Sequence, residues 1–247
     1  MTLDKPGSRT QYDQMSKEWN EMVGKDPVKA LLQYHAVLNC LGDVKGKEVL
    51  DIGSGNGAFA RLLSDGEHGA KVMAYEVSSA LVEKSREMQS EGVEYQVADQ
   101  HTFKTEKRFN DAVAINVLNY AENYDELLAF FKSTFEHLKD GGKMTALVFN
   151  PDFKGFGQNI LNRRIEKVGD DNEMAVVFIN PETKVETRAT FFYFTKDEFE
   201  RASNEAGFRT LEWRDLVPDE RLKVLENGRI LKELEEHKLY SLLVAEK

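Results

Sequence analysis

The sequence lacks three features that would point to other classes of protein. It has one cysteine, Cys40, so no internal disulfide can form, which is typical of a reducing compartment. It has no apolar run long enough to span a bilayer, and its first residues lack the basic and apolar regions of a signal peptide. We therefore expect a cytoplasmic protein without a membrane partner.

Basic residues are also in the minority. The 33 lysines and arginines against 43 acidic residues give a formal net charge of −10. Such a charge argues against sequence-independent binding to nucleic-acid phosphates, so no nucleic-acid partner is expected. The 247 residues, 41% of them hydrophobic, fit one α/β domain that binds a small molecule, as a monomer or homodimer.

The most informative segment is residues 49–60, Val-Leu-Asp-Ile-Gly-Ser-Gly-Asn-Gly-Ala-Phe-Ala. An apolar strand runs into three alternating glycines and then into a helical pattern. Glycine accepts positive φ and has no Cβ, so such a turn brings backbone N–H groups close to a ligand. Read as G-x-G-x-x-A, Gly53, Gly55 and Ala58 also satisfy the dinucleotide fingerprint. The glycines alone leave an NAD(P)-dependent oxidoreductase open.

Asp51 favours a different nucleotide cofactor. Its carboxylate stands two residues before the first glycine, where it suits a cationic or hydroxyl-bearing ligand and repels a pyrophosphate. An acid followed by G-x-G-x-G resembles motif I of the class I S-adenosylmethionine-dependent methyltransferases. The resemblance implies S-adenosyl-L-methionine as cofactor, S-adenosyl-L-homocysteine as product, and binding of the cofactor's amino-acid end by Asp51, Gly53, Ser54, Gly55 and Gly57.

Three further strand ends follow in the order that this family uses. Residues 71–77 form a short apolar strand with Glu76 at its tip. The Glu76 carboxylate can accept hydrogen bonds from both ribose hydroxyls. Residues 93–99 alternate and end at Asp99, which the resemblance assigns to the adenine amino group. Residues 111–120 supply a buried fourth strand and its loop. The remaining cofactor-binding residues implied by the resemblance are Tyr12, Val77, Gln100 and Asn116.

The predicted fold is α/β, a Rossmann-like methyltransferase fold in which a seven-stranded, mostly parallel sheet has an antiparallel last strand. We predict one domain over residues 1–247, with an N-terminal helical cap (1–44), a cofactor-binding core (45–150), an inserted hairpin (151–194) and a C-terminal part of the sheet (195–247). The finer elements are predicted as follows: helices 9–23, 27–41, 124–138 and 196–206, a turn at 140–142, strands 143–149, 208–216 and 238–245, hairpin strands 174–180 and 184–194, and at 217–237 a solvated connection or a short helix.

The catalytic residues are predicted on chemical grounds. His35 can abstract a proton near neutral pH, and Tyr34 can orient a substrate by a hydrogen bond. His101 is a second possible base. The alternative for each of these two histidines is a surface or core-edge position without a catalytic role. The substrate-binding residues predicted are Trp19, Asn119, Asn150 and Tyr193. No clustered Asp, Asn and His spacing marks a metal site.

Short motifs along the chain refine the resemblance. After Ile115 the chain lacks the D/N-P-P-Y/F signature of methyltransferases acting on nucleobase or glutamine amide nitrogens. The runs at residues 11–13, 33–35, 149–151 and 206–208 resemble the toxoflavin N-methyltransferase-like group. That resemblance implies methylation of N or O on a small, heteroaromatic metabolite. A non-catalytic protein that keeps the cofactor pocket is a further alternative.

Overall fold

The computed structural model describes residues 28–88, 91–168, 172–180 and 184–247, with the side chains of residues 226 and 227 left out. The predicted helix 9–23, with Tyr12 and Trp19, lies outside these residues. None of the described helices is long and apolar enough to cross a membrane.

In the described residues, eleven strands form two sheets. They are β1 (Glu48–Ile52), β2 (Lys71–Glu76), β3 (Val93–Val97), β4 (Phe109–Ile115), β5 (Leu138–Phe149), β6 (Asn159–Ile160), β7 (Arg163–Lys167), β8 (Glu173–Ile179), β9 (Glu186–Phe192), β10 (Thr210–Arg214) and β11 (Tyr240–Glu246). The larger sheet has the order β10-β11-β5-β4-β1-β2-β3, and β11 runs antiparallel to both its neighbours. The predicted seven-stranded sheet with an antiparallel last strand is confirmed.

Helices cover both faces of this sheet. A π-helix (Lys29–Tyr34) leads into α1 (His35–Leu41), followed by α2 (Ala58–Ser64), α3 (Ser79–Glu87), α4 (Tyr124–His137), α5 (Lys196–Ala206) and α6 (Arg229–His237), with 3-10 turns at Leu118–Tyr120, Glu220–Lys223 and Leu225–Gly228. The ends follow from the sequence: Thr195 and Glu198 form a capping box at the start of α5, and Gly42 ends α1 with a bond from its N–H to the Leu38 carbonyl.

The period-2 alternation of the strands divides the apolar side chains into two cores. Val49, Val113 and Leu147 face the side that carries the π-helix, α1, α2 and the smaller sheet. Leu50, Ala112 and Ala146 face the side that carries α4 and α5. The central strands are thus buried on both faces, as parallel strands are.

The smaller sheet has the order β6-β7-β8-β9. Its β8–β9 pair is the predicted hairpin and is confirmed. Strands β6 and β7 were not predicted, since Arg-Arg-Ile-Glu-Lys carries a single apolar residue. That residue, Ile165, lies opposite Val176, which lies opposite Ala189, and all three are buried in the first core.

The predicted turn at 140–142 is wrong, and of the two alternatives predicted for 217–237 the structure has the short helix. Residues 140–142 are not a chain reversal but part of β5, where Gly141 N–H donates to the Lys247 carbonyl at 3.1 Å and the register against β4 shifts. The segment 217–237 contains the predicted short helix, α6 (Arg229–His237), and is not the solvated connection that was its alternative. Leu222 and Ile230 are buried in the first core, and Asp219 N–H donates to the Leu31 carbonyl at 2.9 Å. This segment therefore packs on the π-helix.

Candidate functional site

The glycine loop, residues 53–57, joins β1 to α2 and has the backbone that its sequence predicts. Gly53, Gly55 and Gly57 have φ values of +62°, +57° and +71°. A Cβ at Gly53 would lie 2.4 Å from Val117 Cγ2, and one at Gly57 would lie 2.5 Å from the Tyr95 hydroxyl oxygen. At Gly55 no described atom lies within 4 Å of that position. The outer glycines are needed for packing, whereas the middle one leaves space beside the loop.

Glu76 connects the end of β2 to this loop. Its side chain is 5% exposed, and its two carboxylate oxygens accept the N–H groups of Gly55 and Ser78, each at 3.0 Å. Val77 lies between Glu76 and Ser78 in the sequence and is half-buried. The carboxylate thus stands at the carboxyl edge of the sheet and holds the middle of the loop.

Asp51 is the most perturbed acid of the site. It is 2% exposed, and burial, together with the nearby Glu76 carboxylate, raises its pKa to about 8, while the charge of Lys29 opposes the rise. The carboxyl group is therefore mostly protonated at neutral pH. Its Oδ2 atom has no hydrogen-bond partner among the described residues.

Two more buried polar atoms near the loop lack partners in the described part of the chain, Ser54 Oγ and Asn116 Oδ1. Asn116 follows β4, which pairs with β1, and has a φ of +57°. Its Nδ2 donates to Gln33 Oε1 at 3.1 Å. Buried polar groups in folded proteins are normally paired, so unpaired atoms concentrated at one loop indicate a place for a ligand.

The end of β3 carries Asp99 in a tight turn. Its Oδ1 accepts from the N–H of His101 and from both the N–H and the hydroxyl of Thr102, at 3.0, 2.9 and 2.7 Å. Partial burial raises the pKa of Asp99, but the bonds from Thr102 and His101 outweigh it and lower the pKa. Every side-chain bond described for Asp99 uses Oδ1. A ligand amino group would therefore meet the other oxygen.

Gln100 and His101 both bind a glutamate on the surface of α4. Gln100 Nε2 donates to Glu126 Oε2 at 2.5 Å, and His101 Nε2 lies 2.9 Å from the same oxygen. The His101 side chain is 53% exposed. The contacts described for these two side chains thus hold α4 against the end of β3.

Tyr34 and His35 point in different directions because neighbouring residues in a helix diverge by about 100°. The Tyr34 ring lies 5.0 Å from that of Phe59 on α2, and burial and then the Asp51 charge raise its pKa. It therefore keeps its proton and can donate a hydrogen bond. His35 Nε2 contacts Asn39 Nδ2 at 2.9 Å, and His35 Nδ1 lies 3.6 Å from Asp219 Oδ2. The structure brings Tyr34, but not His35, to the glycine loop.

The amides of Asn119 and Asn150 are bonded to the backbone at both ends. Asn119 donates to the Phe192 carbonyl and accepts from Phe149 N–H, at 2.9 and 3.1 Å. Asn150 donates to the Lys238 carbonyl at 2.8 Å and accepts from Asp152 N–H at 2.9 Å. These amides connect β5 to the smaller sheet and to β11.

Tyr193, next after β9, is half-buried, and its hydroxyl donates to the Pro151 carbonyl. Asn150 also lines an open groove of about 800 Å³ with Lys196, Trp213 and Lys238. This groove lies at the β5-β11-β10 side of the sheet, away from the glycine loop.

Gln33 and Lys29 of the π-helix are the contributors to this site that sequence reasoning missed. Gln33 is 3% exposed and bonded to Asn116, and Lys29 influences Asp51 through its charge. Neither residue belongs to a periodic pattern or to the glycine motif. Among the described residues, no group of three His, Cys, Asp or Glu side chains is placed to hold a metal ion.

Comparison with known proteins gives a family and a set of similar folds. A family model described as a methyltransferase domain matches residues 25–212. The ubiquinone biosynthesis O-methyltransferase of Coxiella burnetii is 28% identical over 117 residues, which cover 46% of this chain and 48% of that protein. The chain thus spans about half the length of the curated relatives that it matches.

Two solved structures illustrate the similarity of fold. The CcbJ methyltransferase from Streptomyces caelestis has a TM-score of 0.67 at 18% identity, with 98% of each chain covered. CalS10, an amino pentose methyltransferase from Micromonospora echinaspora with S-adenosylmethionine bound, has a TM-score of 0.62 at 17% identity, covering 100% of this chain and 98% of that one. These identities are low enough that the likeness concerns the fold alone.

Proposed function

The chain belongs to the methyltransferase domain family, and on that premise we propose that it transfers a methyl group from S-adenosylmethionine to a nitrogen or oxygen atom of a small metabolite. Its fold is the Rossmann-like one of class I S-adenosylmethionine-dependent methyltransferases. A heteroaromatic acceptor is the finer part of the proposal. It rests on the short motifs that resemble the toxoflavin N-methyltransferase-like group.

The observation that carries the proposal is the set of unpaired buried polar atoms around the glycine loop. Asp51 Oδ2 and Asn116 Oδ1 are acceptors, and Ser54 Oγ can donate or accept. A ligand end that carries an ammonium group satisfies such acceptors, and a sulfonium close by favours the ionised form of Asp51. The space beside Gly55 admits a ligand at this point. The residues present therefore fit the cofactor.

We assign the rest of the cofactor site by strand order. Glu76, at the end of β2, would accept from the ribose hydroxyls, and Asp99, after β3, from the adenine amino group. Val77 and Gln100 flank these positions, and Tyr12 would come from the N-terminal segment. When bound, the cofactor supplies a methyl group on a sulfonium, which needs little covalent help. The protein's task is to align the acceptor with that methyl group and to exclude water, which contributes on the order of several kcal/mol.

The acceptor would lie beside the π-helix, at the carboxyl edge of the sheet. Tyr34, which keeps its proton, would donate a hydrogen bond to the acceptor. His35 would take up the proton that the acceptor loses, and for this its ring has to turn away from Asp219 and Asn39. Trp19 and Tyr193 would supply aromatic walls, with Asn119 and Asn150 behind them. In this proposal residues 1–44 and 151–194 cap the core of residues 45–150.

We expect Glu76→Ala to weaken the binding of S-adenosylhomocysteine by about 10- to 100-fold, because the substitution removes a charged acceptor from two hydroxyl donors. Isothermal calorimetry measures the loss, with NAD as the control ligand. Because Glu76 also holds Gly55 N–H, Glu76→Gln, which keeps one acceptor oxygen, should lose less affinity. Glu94→Ala, on the exposed edge strand, is the matched control.

Equal affinity in wild type and Glu76→Ala would remove the ribose assignment. Binding of NAD without binding of S-adenosylhomocysteine would instead favour the oxidoreductase. Tight S-adenosylhomocysteine binding with no methyl transfer to any of a broad panel of heteroaromatic amines and hydroxyls would favour the non-catalytic alternative.

Tyr34→Phe should lower turnover by about tenfold and change S-adenosylhomocysteine affinity by less than about threefold, because one hydrogen bond is lost at the acceptor and none at the cofactor. The same split is expected for His35→Ala, with a smaller effect on turnover because its ring already contacts Asp219 and Asn39. Turnover is followed with labelled S-adenosylmethionine and an acceptor found in the panel. Unchanged turnover in both variants would remove both residues from the catalytic set.

A further inference from the structure

Gln33 is a buried side-chain amide whose oxygen takes part in a hydrogen bond and whose nitrogen does not, among the described residues. Its side chain lies on the π-helix and is 3% exposed. Oε1 accepts from Asn116 Nδ2 at 3.1 Å, 83 positions along the chain. The one hydrogen bond described for the Gln33 side chain uses Oε1 and none uses Nε2, and Asn116 Oδ1 has no partner in the described part of the chain.

The two linked amides thus offer a ligand the NH2 group of Gln33 as donor and the Oδ1 atom of Asn116 as acceptor, held together by their mutual hydrogen bond. The unpartnered Oδ2 of Asp51 belongs to the strand next to β4 and adds a second acceptor. A ligand group that matches this set has a hydrogen-bond acceptor and a donor side by side, and a positive charge on the donor favours the ionised form of Asp51. The α-carboxylate and α-ammonium of an amino acid have this arrangement.

The order of the strands in the sheet also places the amino-acid end of the ligand beside Gln33 and Asn116. With the ribose at Glu76 on β2 and the adenine at Asp99 after β3, a ligand that extends across the sheet edge reaches β1 and then β4. Gln33 and Asn116 lie at this β4 end. An adenine edge also pairs one donor with one acceptor, but it is uncharged and gains little from the Asp51 carboxylate.

We propose that Gln33 determines specificity for the amino-acid end of the cofactor: its Nε2 donates to the α-carboxylate, and its Oε1 orients Asn116 so that Oδ1 accepts from the α-ammonium. This inference rests on the proposed function. It assigns Gln33 a role that the glycine motif does not include. The positive charge of Lys29, which acts on Asp51, would also attract the α-carboxylate.

The test compares two ligands that differ only in the group in question. S-adenosylhomocysteine carries the amino-acid end, and 5′-methylthioadenosine lacks it. Gln33→Glu keeps the acceptor for Asn116 and replaces the Nε2 donor by an oxygen. We expect its affinity for S-adenosylhomocysteine to fall by about 10- to 100-fold, while its affinity for 5′-methylthioadenosine stays within about twofold of wild type.

Gln33→Met, which is neutral and of similar length, covers the case in which the buried glutamate unfolds the protein. It should show the same selective loss at about 3- to 10-fold. An equal loss for both ligands, with a lower melting temperature, would make Gln33 a structural residue and overturn the inference. Unchanged S-adenosylhomocysteine affinity in both variants would also overturn it. If the wild type bound neither ligand, the proposed function itself would fail, and this outcome is distinct from the other two.

Discussion

Replacing Asp51 by asparagine should raise the melting temperature of the free protein while weakening its affinity for S-adenosylhomocysteine by about 10- to 100-fold. The Asp51 carboxyl group is 2% exposed, and burial beside Glu76 raises its pKa to about 8. The buried Asp51 carboxyl group thus lowers the stability of the free protein, and its ionised form becomes favourable only beside a cationic ligand. Asparagine removes the cost and, with it, the charge that the ligand needs.

The two pKa values of Asp51 determine how the free energy of unfolding changes with pH. Asp51 ionises near pH 3.8 in the unfolded chain and near pH 8 in the folded one, so between these values the folded state holds more protons. The free energy of unfolding therefore falls as pH rises, and the contribution of Asp51 is complete below about pH 4 and lost by about pH 8. The corresponding upper bound is about 6 kcal/mol, of which we expect Asp51→Asn to recover on the order of 1 to 3 kcal/mol, or about 3 to 10 °C.

Thermal melts at pH 5 and pH 8, with calorimetric titration of S-adenosylhomocysteine, measure both effects. The gain in melting temperature should be larger at pH 8, and the rise of wild-type affinity with pH should be absent in Asp51→Asn. Asp111→Asn is the matched control, because Asp111 is 6% exposed but paired with Lys47 at 3.2 Å at the opposite end of the strands. It should lower stability and leave ligand affinity unchanged. A lower melting temperature for Asp51→Asn would contradict the protonated state of Asp51.

Gly53→Ala should destabilise the protein by about 2 to 4 kcal/mol and abolish measurable binding of S-adenosylhomocysteine. The added Cβ would lie 2.4 Å from Val117 Cγ2, and the residue would keep a φ of +62° that side chains rarely adopt. Either the loop or the end of β4 must move, and both belong to the proposed site. Denaturant unfolding and calorimetry measure the two losses.

Gly55→Ala separates strain from steric overlap. Its φ of +57° is similar, but no described atom lies within 4 Å of the added Cβ. We expect a stability loss of about 1 kcal/mol with a clear loss of ligand affinity, since the Cβ would project into the space beside the loop. In the Gly53→Ala background, Val117→Ala should restore part of the stability. Equal stability losses for the two single glycine variants, with no effect of Val117→Ala, would show that overlap with Val117 is not the cause.

The glycine motif was predictable because its information is local. A strand, three glycines and an acid specify a turn of positive φ values whichever elements pack around it, and the structure has these values at Gly53, Gly55 and Gly57. The order of the strands followed from the same kind of signal, an apolar run ending in an acid, repeated at Glu76 and Asp99. The hairpin of β8 and β9 was predictable because its two strands are neighbours in sequence.

What failed or stayed open in the sequence reasoning depended on distant partners. Gly141 and Gly142 have the composition of a turn, yet the last residue of the chain, Lys247, bonds to both and keeps them within β5. For the charged segment 217–237 the sequence left a solvated connection and a short helix open, and the burial of Leu222 and Ile230 in the first core decides between them. Local propensity yields to tertiary pairing in both cases.

The sequence by itself determined the class of fold, the cofactor loop and the acids at its strand ends, because each of these is encoded within about ten neighbouring residues. Only the tertiary structure decided which polar groups meet at that loop. It paired Gln33 with Asn116 and brought Lys29 near Asp51. It also used the amides of Asn119 and Asn150 to hold the backbone. The physical reason is that a hydrogen bond between side chains 83 positions apart, or a pKa set by burial, depends on packing and leaves no periodic trace in the sequence.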